Sequence, residues 1–110
     1  MVAPYDHRYR LTRPEFTRTF HRNHEFFDEP GHTTDLFARE AVQWIERQRD
    51  TPFLLYVPFT CVHVPLVEVP RWHAANGHIA SADRRLFAAA TTHMDHAVGQ
   101  IIDALDRTGQ

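Results

Sequence analysis

The sequence contains no lysine. All 12 basic residues are arginines, set against 14 acidic residues, which gives a formal net charge of -2 in 110 residues. This balance argues against a strongly basic nucleic-acid-binding domain and against an acidic tail. Any reaction that needs a lysine ammonium group requires a residue from outside this sequence.

Cysteine and long apolar runs are also scarce. Cys61 is the single cysteine, so the chain forms no internal disulfide and its cysteine count indicates no oxidising compartment. No apolar run approaches the roughly 18 residues of a membrane-spanning helix, and residues 1–25 lack the continuous apolar stretch of a signal peptide. We therefore expect neither a membrane span nor an export signal in this sequence, and its cellular location stays open.

Apolar residues at three- and four-residue spacings predict two amphipathic helices. The first covers residues 35–49, with Thr34 or Asp35 as its N-cap. The second covers residues 83–107, and Gly109 ends it. Together they account for the strongest periodic pattern in the chain.

Residues 53–58 form a short apolar run between prolines, which is typical of a strand buried on both faces. Helix, strand and helix in succession predict an α/β fold, with a central, largely parallel sheet flanked by helices. The long connection at 59–82, with a helical turn at 71–75, begins at the carboxyl end of the strand, where α/β proteins bind ligands. Residues 1–32 show no periodicity and are expected to be irregular, with short strands near Phe16 to Phe20.

The start of this connection carries two candidate reactive groups. If the backbone is extended there, Cys61 and His63 project to the same face, which allows a thiolate and imidazolium pair. The alternative is a cysteine that packs as a small apolar residue and a histidine that bonds to loop carbonyls. From the residues alone, both interpretations stay open.

Two histidine pairs have the three-residue spacing of metal ligands: His21 with His24, and His93 with His96. Neither pair has a third ligand in register, so the alternative is histidines on the surface or half-buried. We favour that alternative and expect replacement of His93 or His96 to have little effect on function.

Aromatic residues alternate with arginines over residues 1–24, a pattern typical of grooves that bind single-stranded nucleic acid. Asp6 and Glu15 offset two of the five arginines there, which leaves a charge of +3. We therefore predict no nucleic-acid partner.

Several short motifs follow one another in a characteristic order. They are Gly31, His32, Thr33, Thr34, Asp35 and Leu36; Glu40, Ala41 and Ile45; Pro52, Phe53, Leu54, Leu55 and Tyr56; His63, Val64, Pro65 and Leu66; and Met94, Asp95, Ala97, Val98, Gly99, Ile101, Ile102, Asp103, Ala104, Leu105, Asp106 and Gly109. In order and spacing, they resemble the middle of a sulfatase of the arylsulfatase type.

This resemblance implies hydrolysis of an aryl or carbohydrate sulfate ester by a formylglycine, with one divalent cation, usually calcium. His63 matches the catalytic histidine of the family's Pro-His-x-Pro-Leu segment, which faces the sulfate and serves the leaving oxygen. Val62 stands where proline is usual. Cys61 is not the formylglycine precursor, because His63 and Pro65 occupy the places of the proline and arginine in the family's Cys-x-Pro-x-Arg motif.

On this resemblance, residues 1–110 are part of a sulfatase domain. Residues 1–32 are its irregular segment, and residues 33–110 hold a helix, a central strand, an active-site loop and a second helix. The nucleophile and the acidic residues that hold the cation are missing, so the chain alone is expected to bind no cation and to be inactive. The alternatives are a phosphoric or phosphonic ester hydrolase of the same superfamily and a non-catalytic binding module.

Overall fold

The computed structural model describes residues 20–27, 29–48 and 51–110. Within these ranges the chain forms a small hairpin followed by helices. The elements are β1 (Phe20–Arg22), β2 (Glu25–Phe27), α1 (Thr33–Arg47), α2 (Pro70–Ala75) and α3 (Ala82–Thr108).

The hairpin pairs β1 antiparallel to β2, with Phe20 opposite Phe27. It corrects the prediction that residues 1–32 are irregular, because six residues of this segment bond to one another as strands. Asn23 lies in the turn at φ 58, in the left-handed region that asparagine tolerates better than most residues. Arg22 forms an ion pair with Glu40 of α1, which ties the hairpin to that helix.

Helix α1 confirms the first predicted helix but begins two residues earlier. Its N-cap is His32, not Thr34 or Asp35, because the His32 side chain accepts a hydrogen bond from the backbone N–H of Thr34 at 3.2 Å. Asp35 in the first turn and Arg47 in the last have the charges that the helix dipole favours. Residue 49, the end of the predicted helix, lies outside the described residues.

Helices α2 and α3 confirm the other two helical predictions. Helix α3 extends the predicted range by one residue at each end. Ser81 accepts a hydrogen bond from the backbone N–H of Arg84 at 3.5 Å, and Gly109 ends the helix at φ 73, a conformation that glycine adopts without steric cost. Helix α2 covers the predicted helical turn and has Pro70 in its first turn.

Helices α1 and α3 pack against each other along a seam of mostly small side chains. The buried apolar residues are Leu36, Ala38, Ala41 and Ile45 on α1, and Ala89, Ala90, Ala97 and Ala104 on α3. Contacts of Asp35 with His93 and of Glu46 with Arg107 join the helices at successive positions along both, so they run in the same direction.

The predicted strand at residues 53–58 is wrong for the structure described, because residues 52–60 are neither strand nor helix. Side chains alternate along this segment: Phe53 is half-buried against Trp44 of α1, whereas Leu54 and Tyr56 are 93% and 82% exposed. The alternation indicates extended backbone covered on one face only. A strand needs a hydrogen-bonded neighbour, and the described residues offer it none, so the predicted central sheet is not observed.

Candidate active-site loop and its buried histidine–carboxylate cluster

Residues 60–68, here called the loop, follow the extended segment and run past the start of α1 and the middle of α3. Within the loop, the backbone N–H of His63 donates to the carbonyl of Thr60 at 3.0 Å. The exposed His63 ring has Nδ1 2.7 Å from the carbonyl of Val64. Because a carbonyl can only accept, Nδ1 carries a proton, and this bond orients the ring.

Cys61 is half-buried, and its thiol donates to the carbonyl of Ala90 on α3 at 3.2 Å. Burial, together with the nearby charge of Glu68, raises the pKa of the Cys61 thiol to about 11. Both features disfavour the thiolate that a nucleophile requires. The structure therefore gives no support to a reactive pair of Cys61 with His63.

Glu68 ends the loop with a carboxylate whose side chain is only 1% exposed. Nδ1 of His93 lies 3.1 Å from both of its oxygens, and Nε2 of His32 lies 3.4 Å from one of them. Nε2 of His32 also donates to the carbonyl of Val67 at 2.9 Å. A carboxylate taken out of water is costly unless it is hydrogen-bonded and balanced by charge, and these partners meet both needs.

His93 lies inside the protein, 1% exposed, although its position in the sequence suggested a surface or half-buried histidine. Its second nitrogen, Nε2, is 2.9 Å from Asp35 on α1, and its ring stacks on Trp72 of α2 with centroids 5.0 Å apart. Burial alone lowers the pKa of His93, but hydrogen bonds to Glu68 and Asp35 outweigh burial and raise the pKa above 6.5. Both ring nitrogens face carboxylate oxygens, which only accept hydrogen bonds, so this geometry holds the ring as an imidazolium between two carboxylates.

His32, Glu68 and His93 place one potential metal-ligand atom each within 4.8 Å of one another. Their donor set does not fit the calcium that the resemblance implies, because calcium takes six to eight oxygen ligands and this cluster offers two nitrogens and one carboxylate. The ring nitrogens are also committed: Nδ1 of His32 accepts from Thr34, and Nε2 donates to Val67. The cluster is a hydrogen-bonded ion pair and does not supply the calcium site.

The predicted histidine pairs do not converge on a metal. His96 is exposed, and its ring centroid lies 5.2 Å from that of Trp72, whereas His93 bonds to Glu68. His21 and His24 are exposed on the hairpin, and the described part of the chain brings no third ligand to them. Most of the arginine and aromatic pattern at residues 1–24 lies outside the described residues.

Sequence reasoning missed the contribution of His32, Asp35 and Glu68 to this cluster. These residues lie 25 to 61 positions from His93 along the chain, and no local spacing connects them. The only available signal was the position of Glu68, two residues after the Pro65 and Leu66 pair of the recognised motif.

Among the described helices, none combines the length and the apolar composition needed to cross a membrane.

Comparison with known proteins identifies the family. The Sulfatase family model matches residues 4–110. Human arylsulfatase D is 30% identical over 91 residues, which cover 80% of this chain and 14% of the relative. Rat steryl-sulfatase is 38% identical over 76 residues, which cover 69% and 12%. Human arylsulfatase G is 34% identical over 93 residues, which cover 80% and 17%.

The fold agrees with this relationship. The crystal structure of Ps i-CgsB in complex with k-i-k-neocarrahexaose matches with a TM-score of 0.81 and 24% identity, over 96% of this chain and 26% of that one. The chain thus spans roughly an eighth to a sixth of the curated relatives described above, 12% to 17% of their length. This chain belongs to the sulfatase family and corresponds to part of a sulfatase domain.

Proposed function

We propose that the chain supplies the histidine-bearing active-site loop of a sulfuric ester hydrolase that acts on an aryl or carbohydrate sulfate. The family match over residues 4–110 carries the proposal. The exposed position of His63 on the loop supports it, because a group that serves a leaving oxygen must be reachable by substrate.

In this proposal, His63 is the acid that protonates the leaving oxygen as the sulfur–oxygen bond breaks. The bond from Nδ1 to the Val64 carbonyl supports this role, since it fixes the orientation of the ring that carries the proton. Cleavage of a sulfate ester places negative charge on the departing oxygen. The contribution of His63 therefore grows as the leaving alcohol becomes more basic.

We infer that residues other than those described supply the nucleophile and bind the cation. A formylglycine hydrate would supply the attacking oxygen, and a divalent cation, usually calcium in this family, would neutralise sulfate charge. The cluster of His32, Glu68 and His93 has the wrong ligand types for calcium. The half-buried thiol of Cys61 bonds to the Ala90 carbonyl, and we infer that Cys61 does not supply the nucleophile.

The matched relatives are arylsulfatases and steryl-sulfatases, so a phosphoric or phosphonic ester hydrolase and a non-catalytic module are not favoured. The proposal includes both aryl and carbohydrate sulfates as substrate classes. Both classes should be assayed, beginning with chromogenic aryl sulfates.

The test is His63→Ala in the complete sulfatase that contains these residues. We expect turnover of aryl sulfates to fall by roughly 10²- to 10⁴-fold, the usual contribution of a positioned acid or base. The loss should increase across a series of phenyl sulfates as the leaving phenol becomes more basic.

His96→Ala is the matched control, because His96 is an exposed histidine on α3 that contacts Trp72 instead of the loop. We expect this variant to retain nearly full turnover. A His63→Ala variant with full turnover, or one with a loss independent of the leaving group, would contradict the assigned role.

A further inference from the structure

The loop is fixed to the helices at both of its ends. Near its start, the thiol of Cys61 donates to the carbonyl of Ala90 on α3. Near its end, the carbonyl of Val67 accepts from His32, and the Glu68 carboxylate contacts His93. His63 lies between these attachments and is exposed.

The attachment at Glu68 depends on charge. Carboxylate oxygens only accept hydrogen bonds, so both ring nitrogens of His93 donate, Nδ1 to Glu68 and Nε2 to Asp35. The two carboxylates differ in exposure: the side chain of Asp35 is 56% exposed, and that of Glu68 is 1% exposed. Water solvates Asp35, whereas the negative charge of Glu68 depends on His93 for compensation.

We propose that His93 is a positioning residue for the sulfatase reaction: its imidazolium holds Glu68 and thereby fixes the loop that presents His63. The inference rests on the proposed function, because it assigns a role relative to His63. This role replaces the earlier expectation that substitution of His93 has little effect on function, because His93 is buried and bonds to Glu68 at the end of the loop.

The proposal predicts how the loop responds to pH. When His93 loses its proton, one ring nitrogen stops donating and Glu68 becomes a buried carboxylate without a compensating charge. Because the hydrogen-bonded carboxylates outweigh burial and raise the pKa of His93, the attachment is complete below the ordinary histidine pKa of 6.5 and weakens as pH rises through the raised value. Activity that depends on the loop should therefore fall on the alkaline side.

Other charged and aromatic groups also face His93. The centroid of the His32 ring lies 4.6 Å from that of His93. Nδ1 of His32 accepts from Thr34 and Nε2 donates to Val67, so these bonds place the proton of His32 on Nε2. Trp72 of α2 stacks on His93, which favours a cationic ring, and the Arg71 guanidinium lies 4.0 Å from the Trp72 ring. His96 contacts the same Trp72. Of these groups, the carboxylates are the ones that bond directly to His93.

Asp35→Asn is the informative variant, because Asp35 does not contact the loop. Asparagine retains an oxygen that can accept from Nε2 of His93, so the packing is preserved while one negative charge is lost. In the complete sulfatase, we expect the alkaline limb of the plot of kcat/KM against pH to shift to lower pH by about half a unit. The value on the acidic side should change by less than about twofold, as expected for a surface charge away from substrate.

Asp83→Asn is the matched control: Asp83 is also an exposed aspartate in the first turn of a helix, α3. It should leave the alkaline limb in place.

Glu68→Gln removes the buried carboxylate itself and should lower kcat/KM by about tenfold, in line with loss of a charge-assisted hydrogen bond.

A second readout does not require catalysis. Hydrogen exchange of a peptide covering the loop, corrected for intrinsic exchange at each pH, reports how firmly the loop is held. We expect its protection to fall at lower pH in Asp35→Asn than in Asp83→Asn, and to be low throughout in Glu68→Gln. Failure of the complete protein to hydrolyse any sulfate ester would refute the proposed function, and the exchange profiles would still test the attachment.

Parallel shifts of the kinetic limb and of loop protection in Asp35→Asn support the proposal. A uniform loss of activity at every pH, with an unmoved limb, would show a structural role only and overturn it. Identical exchange profiles for Asp35→Asn and Asp83→Asn would overturn it as well.

Discussion

The extended segment at residues 53–58 exposes an apolar face. From this face we predict how strongly the isolated 110-residue chain self-associates. Leu54 and Tyr56 are 93% and 82% exposed, and the backbone between them has no strand neighbour among the described residues. Such an edge, apolar and unpaired, promotes association between chains. We therefore expect the isolated chain to self-associate and to fold only marginally.

The size of the effect follows from the two side chains. Complete burial of a large apolar side chain is worth about 1.5–3 kcal/mol, so two chains that each bury this pair gain roughly 6–12 kcal/mol. This gain is comparable to the roughly 4–15 kcal/mol cost of bringing two chains together. Replacement of both residues by threonine removes most of it and should weaken association by at least about a hundredfold, since each 1.4 kcal/mol is a factor of ten.

The assay is light scattering coupled to size-exclusion chromatography across the micromolar range, for the wild-type chain and for Leu54→Thr/Tyr56→Thr. The matched control is Phe87→Thr/Ile102→Thr, which replaces two half-exposed apolar residues of α3 away from this edge. A wild-type chain that stays monomeric with a cooperative thermal transition would refute the reasoning. Equal association of the wild type and the Leu54/Tyr56 variant would also refute it.

Two further predictions concern buried groups. Burial and Glu68 raise the pKa of Cys61 from 9.0 to about 11. The native protein at pH 8 should therefore react with iodoacetamide about a hundredfold more slowly than the same protein in denaturant. Equal rates would refute the environment assigned to Cys61. In the complete sulfatase, Ile45→Ala should lower the free energy of unfolding by about 2–5 kcal/mol because Ile45 is fully buried. Ile102→Ala, at a 52% exposed site, should cost less than about 1 kcal/mol in the same urea titration. Similar losses in the two variants would contradict the packing described between α1 and α3.

The helices could be predicted because their signals are local. Apolar spacing within α1 and α3, and a glycine at position 109, specify where a helix runs and ends without reference to the rest of the chain. The N-cap was missed because histidine is not among the residues that usually cap helices. His32 takes this role through a ring nitrogen, which only the structure reveals.

The strand and the cluster could not be predicted for a common reason, which is that both depend on distant partners. The composition of residues 53–58 suits a strand, but a strand exists only where a second segment bonds to it. The cluster joins Asp35, Glu68 and His93 through contacts that span 25 and 58 positions of sequence. His63 was identified through a motif and not through physics, and its placement on an exposed loop agrees with that assignment while its role stays a prediction.

The seam of alanines between α1 and α3 limits how this segment can vary over evolution. An alanine has no rotamers, so where the buried residues of packed helices are mostly alanines, backbone and Cβ contacts set how closely the helices approach. The two helices also carry the groups to which the loop is attached. A larger residue in the seam would separate those groups, so a mutation that touches no substrate would still reduce turnover, and compensating changes would have to arise on the facing helix.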